Sequence, residues 1–231
     1  MARKYLRDVI CVLIGLLCGV GHGAQLPDLM TRLEKLNGKG TIGAAVHIED
    51  RRPTTEDSDG KPLEKGDFTI TVDANSLTVV VEGKVSDSSV FRGFSLLRIE
   101  ELTQYGPHLA RELDGLKLIE NGAGSHQGVS CRHWRLKSEE KQNKFGVSAT
   151  LVKDVDLWVD SDGYPVAGSF KTQKKGRLLL FKFSESSTRS QRYQRLGTRL
   201  VLVLDKSETD AKTKAGSEKR TVTTTLTVKK N

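Results

Sequence analysis

Asp156-Leu157-Trp158-Val159-Asp160-Ser161-Asp162-Gly163-Tyr164-Pro165-Val166 reads as a strand, a tight turn and the start of a second strand. Trp158 and Val159 favour a pleated, half-buried surface, and Asp162-Gly163 followed by Pro165 breaks it. Asp160-Ser161-Asp162-Gly163 also matches the opening of a calcium loop. Tyr164 stands where the fifth-position oxygen ligand belongs, however, and no continuing loop follows, so the hairpin turn is the better reading. The same texture extends in both directions. Residues 149–159 lead into the turn, and strand-like runs follow at 166–172, 178–184, 192–204 and 221–228. Upstream, Phe68, Ile70 and Val72 alternate with Thr69, Thr71 and Asp73, the pattern of a half-buried strand. With residues 41–49 and 77–81 it predicts an antiparallel meander, interrupted by a long polar loop over 51–64 and a turn over 73–76. Further strands are expected at 116–120 and 129–137, with a charged connection at 138–144 and a solvated turn at Lys174-Lys175-Gly176. The continuous apolar runs at 178–181 and 200–204 suit strands covered on both faces.

Two helical regions punctuate the strands. Leu26, Leu29, Met30, Leu33 and Leu36 recur at helical spacing, with Pro27 suited to a first turn and Asn37-Gly38 to a stop. The spacing predicts an amphipathic helix over 27–37, too short to stand alone, whose stripe must dock on the sheet. Over 95–114, Leu96, Ile99 and Leu102 and then Leu109 and Leu113 predict two helical segments separated by Gly106-Pro107. About nine or ten strands with these helices make a mainly β fold of the α+β kind. The expected architecture is a curved antiparallel sheet or incomplete β-barrel, carrying an N-terminal amphipathic helix and a helical insertion. No repeat of solenoid period occurs.

The chain has 231 residues, with 37 Lys and Arg against 29 Asp and Glu, and only 36% of its residues are hydrophobic. That excludes a polytopic membrane protein, and three cysteines exclude a disulfide scaffold. Arg3, Lys4 and Arg7 precede an apolar run from Val9 to Val20 and the small residues Gly21 and Gly23. This is the layout of a secretory signal peptide over 1–23, and the run is too short to cross a bilayer as an anchor. Residues 24–231 then form a single β-rich domain whose one cysteine is Cys131. The expected location is outside the cytoplasm, in the periplasm or the extracellular space.

Chemistry is sparse. Cys131 and His133 lie two apart on an expected strand and so share a face, as a thiol and its base or half a metal site would. No second Cys-x-x-Cys accompanies them, and a buried structural cysteine beside a surface histidine accounts for the pair. The sequence contains no nucleophile elbow, zinc-protease, phosphate-loop or dinucleotide pattern. No catalytic residue, metal ligand or cofactor is assigned. Basic residues gather late, at Lys171, Lys174, Lys175 and Arg177 and again at Arg189, Arg192, Arg195 and Arg199. An exported chain does not meet nucleic acid, so an anionic envelope surface or anionic ligand is the expected electrostatic partner.

The segment quoted at the outset resembles the hydrophobic-Trp-Val-Asp…Gly-x-Pro stretch of bacterial lipoprotein-sorting and lipoprotein-carrier proteins, the LolA/LolB-like superfamily. The following Lys182-Phe183-Ser184, the leader, the first amphipathic helix and the helical insertion are similar in order. The resemblance implies an incomplete antiparallel barrel, with helices over its mouth and an apolar cavity for acyl chains. It places Trp158 on a central strand, as a core anchor or a ligand contact. Leu157, Trp158, Phe181 and Phe183 become the candidate apolar lining. The implied function is binding or carriage of a lipid or lipoprotein acyl chain. The competing reading is a non-catalytic structural or protein-interaction domain of the envelope, its partner another envelope protein and its interior filled by its own side chains. Peripheral contact with a membrane fits either, with no transmembrane span after the leader.

Overall fold

A computed structural model describes residues 26–52, 62–73, 78–82, 95–144, 147–178, 181–213 and 216–229. The leader read over 1–23 and the centre of the polar loop over 51–64 lie outside the described residues, as does most of the turn over 73–76.

Ten strands form one antiparallel sheet: β1 (Thr41–Arg51), β2 (Pro62–Asp73), β3 (Thr78–Glu82), β4 (Lys117–His126), β5 (Val129–Lys144), β6 (Val147–Val159), β7 (Pro165–Leu178), β8 (Phe181–Leu196), β9 (Arg199–Thr213) and β10 (Gly216–Val228). Their spatial order is β3-β2-β1-β10-β9-β8-β7-β6-β5-β4. Every neighbour in that series is a sequence neighbour except one: β1 pairs with β10, from Ala44↔Val228 to Arg51↔Thr221. Two meanders are thereby joined through the chain's two ends. The sheet curves without closing, and β3 and β4 are its edges. This is the expected incomplete barrel.

Three short helices pack on one face of the sheet: α1 (Leu26–Glu34), α2 (Leu96–Thr103) and α3 (Tyr105–Leu113). The Leu29 and Leu33 stripe of α1 is buried against α3, as the spacing requires. The break between α2 and α3 falls at Gln104, not at Gly106-Pro107. Pro107 lies in the first turn of α3, where its missing N–H costs nothing. Gly106 serves a close approach instead. A Cβ there would stand 2.6 Å from the Leu33 carbonyl oxygen and 2.7 Å from the Leu36 Cβ, so α1 and α3 touch through it.

The expected hairpin turn at 160–164 is present. The Asp160 N–H donates to the Tyr164 carbonyl at 2.8 Å, and the Asp160 carboxylate accepts from the Tyr164 N–H at 2.9 Å.

Four sequence assignments are corrected, and all for related reasons. Residues 138–144 are not a connection but the second half of β5, and Lys174-Lys175-Gly176 is strand rather than turn. Residues 178–184 straddle the β7–β8 hairpin, where Leu178 faces Phe181. Residues 192–204 straddle another, turning at Gly197, whose φ of 57° is cheap only for glycine. The strands are longer than their apolar portions. β8 is exposed or half-buried through its first ten residues and buries side chains only at Gln191 and Tyr193. A polar half-strand with solvent on both faces has no alternation to read.

Candidate functional site

The core lies where the helices meet the proximal half of the sheet. Leu102, Leu109 and Leu113 are 0% exposed, and they pack in one cluster with Trp134, Leu136, Leu157, Leu200 and Leu202. The centre of the half-barrel is thus occupied by the chain's own side chains.

A polar layer borders this core beneath α2 and α3. Arg189 of β8 donates to Asp205 of β9 at 2.7 and 3.1 Å and to Glu112 of α3 at 2.6 Å. Arg98 of α2 donates to the same Asp205 and, at 2.9 Å, to Glu101. The Tyr105 hydroxyl donates to Glu112 at 2.6 Å, and the Gln191 amide lies within reach of the Tyr105 and Tyr193 hydroxyls. Burial raises the pKa of Asp205, but hydrogen bonds and charge from Arg189 and Arg98 outweigh it, so the carboxyl titrates below its ordinary value. Burial pushes both tyrosine hydroxyls well above theirs. The layer ties both insertion helices to the sheet with charge-assisted bonds. In the sequence Arg189 belongs to the late basic run; its strand pairing with Asp205's neighbours, sixteen residues on, brings it beneath the helices.

On the face turned away from the helices, Trp158 stacks on the His133 imidazole, 5.1 Å between ring centres, with the His126 ring tilted against it at 5.0 Å. His133 Nε2 is 2.8 Å from Asp156 Oδ1, and Arg135 Nε is 3.6 Å from the same carboxylate. An imidazole held by a carboxylate can pass a proton, but it needs a third group to act on. Cys131 is buried, and its thiol makes no hydrogen bond among the described residues. No group of three or more His, Cys, Asp or Glu able to hold a metal ion occurs among them either.

Beyond the helices, strands β6 to β9 run on to a groove of about 1070 Å³ at the far end of the half-barrel. Ala149, Phe181 and Phe183 supply its apolar lining; Lys175, Arg177, Lys182 and Lys212 also border it, with side chains on the other face of the sheet. Phe181 is 50% exposed. Lys174 Nζ stands 5.8 Å from the centre of the Phe183 ring.

The four residues expected to line one cavity are therefore dispersed. Leu157 is fully buried in the core, Trp158 is on the opposite face, and Phe181 and Phe183 come together in the groove. Leu157 and Trp158 are consecutive on β6 and so cannot share a face. The groove cations Lys175 and Arg177 lay in the late basic run, but nothing local joined them to Lys212. No helix among the described residues is long and apolar enough to cross a membrane. Comparison with known protein families, with curated proteins and with solved structures finds no match to this chain.

Proposed function

We propose that this chain is an exported, non-catalytic protein of the bacterial envelope that binds the acyl chain of a lipid or lipoprotein, as the carrier superfamily it resembles does. The binding place is the open far end of the half-barrel, because the centre is filled by Leu102, Leu109 and Leu113. The observation that carries this reading is the groove itself: about 1070 Å³, with Phe181 and Phe183 available to an apolar chain. Ligand pockets typically enclose about 300–1,000 Å³. Apolar surface covered there would contribute about 25 cal/mol per Å².

Native mass spectrometry after gentle extraction, with displacement of a fluorescent fatty acid, tests the reading. A copurifying lipid mass, and displacement weakened by Phe183→Ser, are the expected results. Absence of both would sink it. The filled centre favours one second reading, an interaction domain that works only through its surface. For that domain neither lipid nor probe binds, and a copurified envelope protein takes their place.

A further inference from the structure

The far half of the sheet carries a charge pattern on the face turned away from the helices that the acyl-binding reading leaves unused. Strand register aligns Lys141, Thr150, Lys175, Ser184, Lys212 and Ser217 in one row across β5 to β10. The next row outward is Asn143, Ser148, Arg177 and Lys182. Because side chains alternate along each strand, both rows project from one face. They hold five cations and no carboxylate. All five are exposed, and none forms an ion pair among the described residues. The first acids on that face, Glu139 and Asp210, come one row inward.

Arg177 stands directly opposite Lys182 in the β7–β8 ladder. Like charges so placed, with Cβ atoms about 4.5–5.5 Å apart, destabilise a strand pair. Elsewhere in this sheet Arg135 meets Glu120 and Arg220 meets Asp50. At the far end two cations stand opposite each other instead, and an anion from outside would relieve their repulsion. The cations lie in a sheet row rather than converging on a point, so they fit an extended plane of negative charge better than one small anion.

We propose that this cationic face docks the protein on an anionic lipid bilayer, with Lys175, Arg177, Lys182 and Lys212 as its main contacts. The inference stands whether or not the groove takes an acyl chain.

Cosedimentation of the full chain with phosphatidylglycerol–phosphatidylcholine vesicles, and with pure phosphatidylcholine vesicles, tests it. Binding is expected on the anionic vesicles only, weakening as salt shortens the screening length from about 10 Å at 0.1 M to about 3 Å at 1 M. The K175E/R177E/K182E variant should bind at least about tenfold more weakly. Reversal of three exposed cations elsewhere, K35E/K39E/K117E, changes net charge equally and should leave binding near wild type. Equal loss in both variants would overturn the proposal, as would equal binding to both vesicle types. Binding to heparin with none to vesicles would assign the face to a soluble polyanion instead and overturn it too. Should the triple variant melt early, K212E alone is read: weaker binding supports the face, unchanged binding overturns it. Acyl probe displacement measured in parallel separates the outcomes, since loss of docking with intact displacement leaves the acyl-binding reading in place.

Discussion

The two halves of this sheet are made from the same strands and differ in almost everything else. In the proximal half, β5 contributes Trp134 and Leu136, both fully buried, and β9 contributes Leu200 and Leu202. In the far half the same two strands carry Glu139, Glu140 and Lys141, and Lys206 and Glu208, and their side chains are exposed. The backbone ladder continues without a break between them: β5 and β6 pair from Arg132 to Lys144. Hydrogen bonding therefore does not distinguish the halves; helix cover does. Three helices of eight or nine residues each bury one half and leave the other wet on both faces. Charge is handled accordingly. Near the core, Asp205 is 6% exposed and meets two arginines, whereas at the far end Arg177 faces Lys182.

Breaking the buried side of that contrast should have the largest effect. Arg189→Met leaves Asp205 and Glu112 beneath the helices without their main partner. Loss of one member of a buried ion pair costs about 3–5 kcal/mol. Urea denaturation at neutral pH should report a fall of that order, and a change below about 1 kcal/mol would mean that the layer does not anchor the helices.

Acid should act through the same group with a smaller, graded effect. The folded-state pKa of Asp205 lies below its ordinary 3.8. Its contribution is thus present above pH 3.8 and is lost as pH falls through the lower folded value. Glu49, whose carboxyl the Arg51 hydrogen bond holds down at about 2, titrates with the same sign at a better-solvated site. Unfolding curves from pH 5 downward should therefore flatten more in Asp205→Asn than in Glu49→Gln. Equal slopes in the two variants would refute the distinction.

At the far end the expectation has the opposite sign and the smallest size. Lys182→Ala removes a like-charge neighbour from Arg177 and should leave stability within about 0.5 kcal/mol, on the favourable side. Thermal melts at low salt sharpen this test, since the repulsion is least screened there.

Legibility in the sequence followed the same division. Phe68, Ile70 and Val72 were readable because one face of β2 is buried and the other is not. The leucine stripe of α1 was readable for the same reason at the helical period. The far half-strands were not, because both their faces meet water: 138–144 and 174–176 look like loops and are ladder. Phe181 and Phe183 could be named as lining from an apolar stretch, but the register that turns Leu157 inward and Trp158 outward was needed to separate the other two.

The sequence by itself determined the antiparallel, mainly β architecture, the docking helix and the strand–turn–strand at 156–166, since each is written in contacts between residues close along the chain. Only the tertiary structure decided that β1 pairs with β10, that Arg189 and Arg98 meet at Asp205 and Arg189 also meets Glu112, and that Lys141, Lys175 and Lys212 share one row. Those relations join residues from sixteen to more than a hundred positions apart, and local periodicity carries no information about which strand a given strand will pair with.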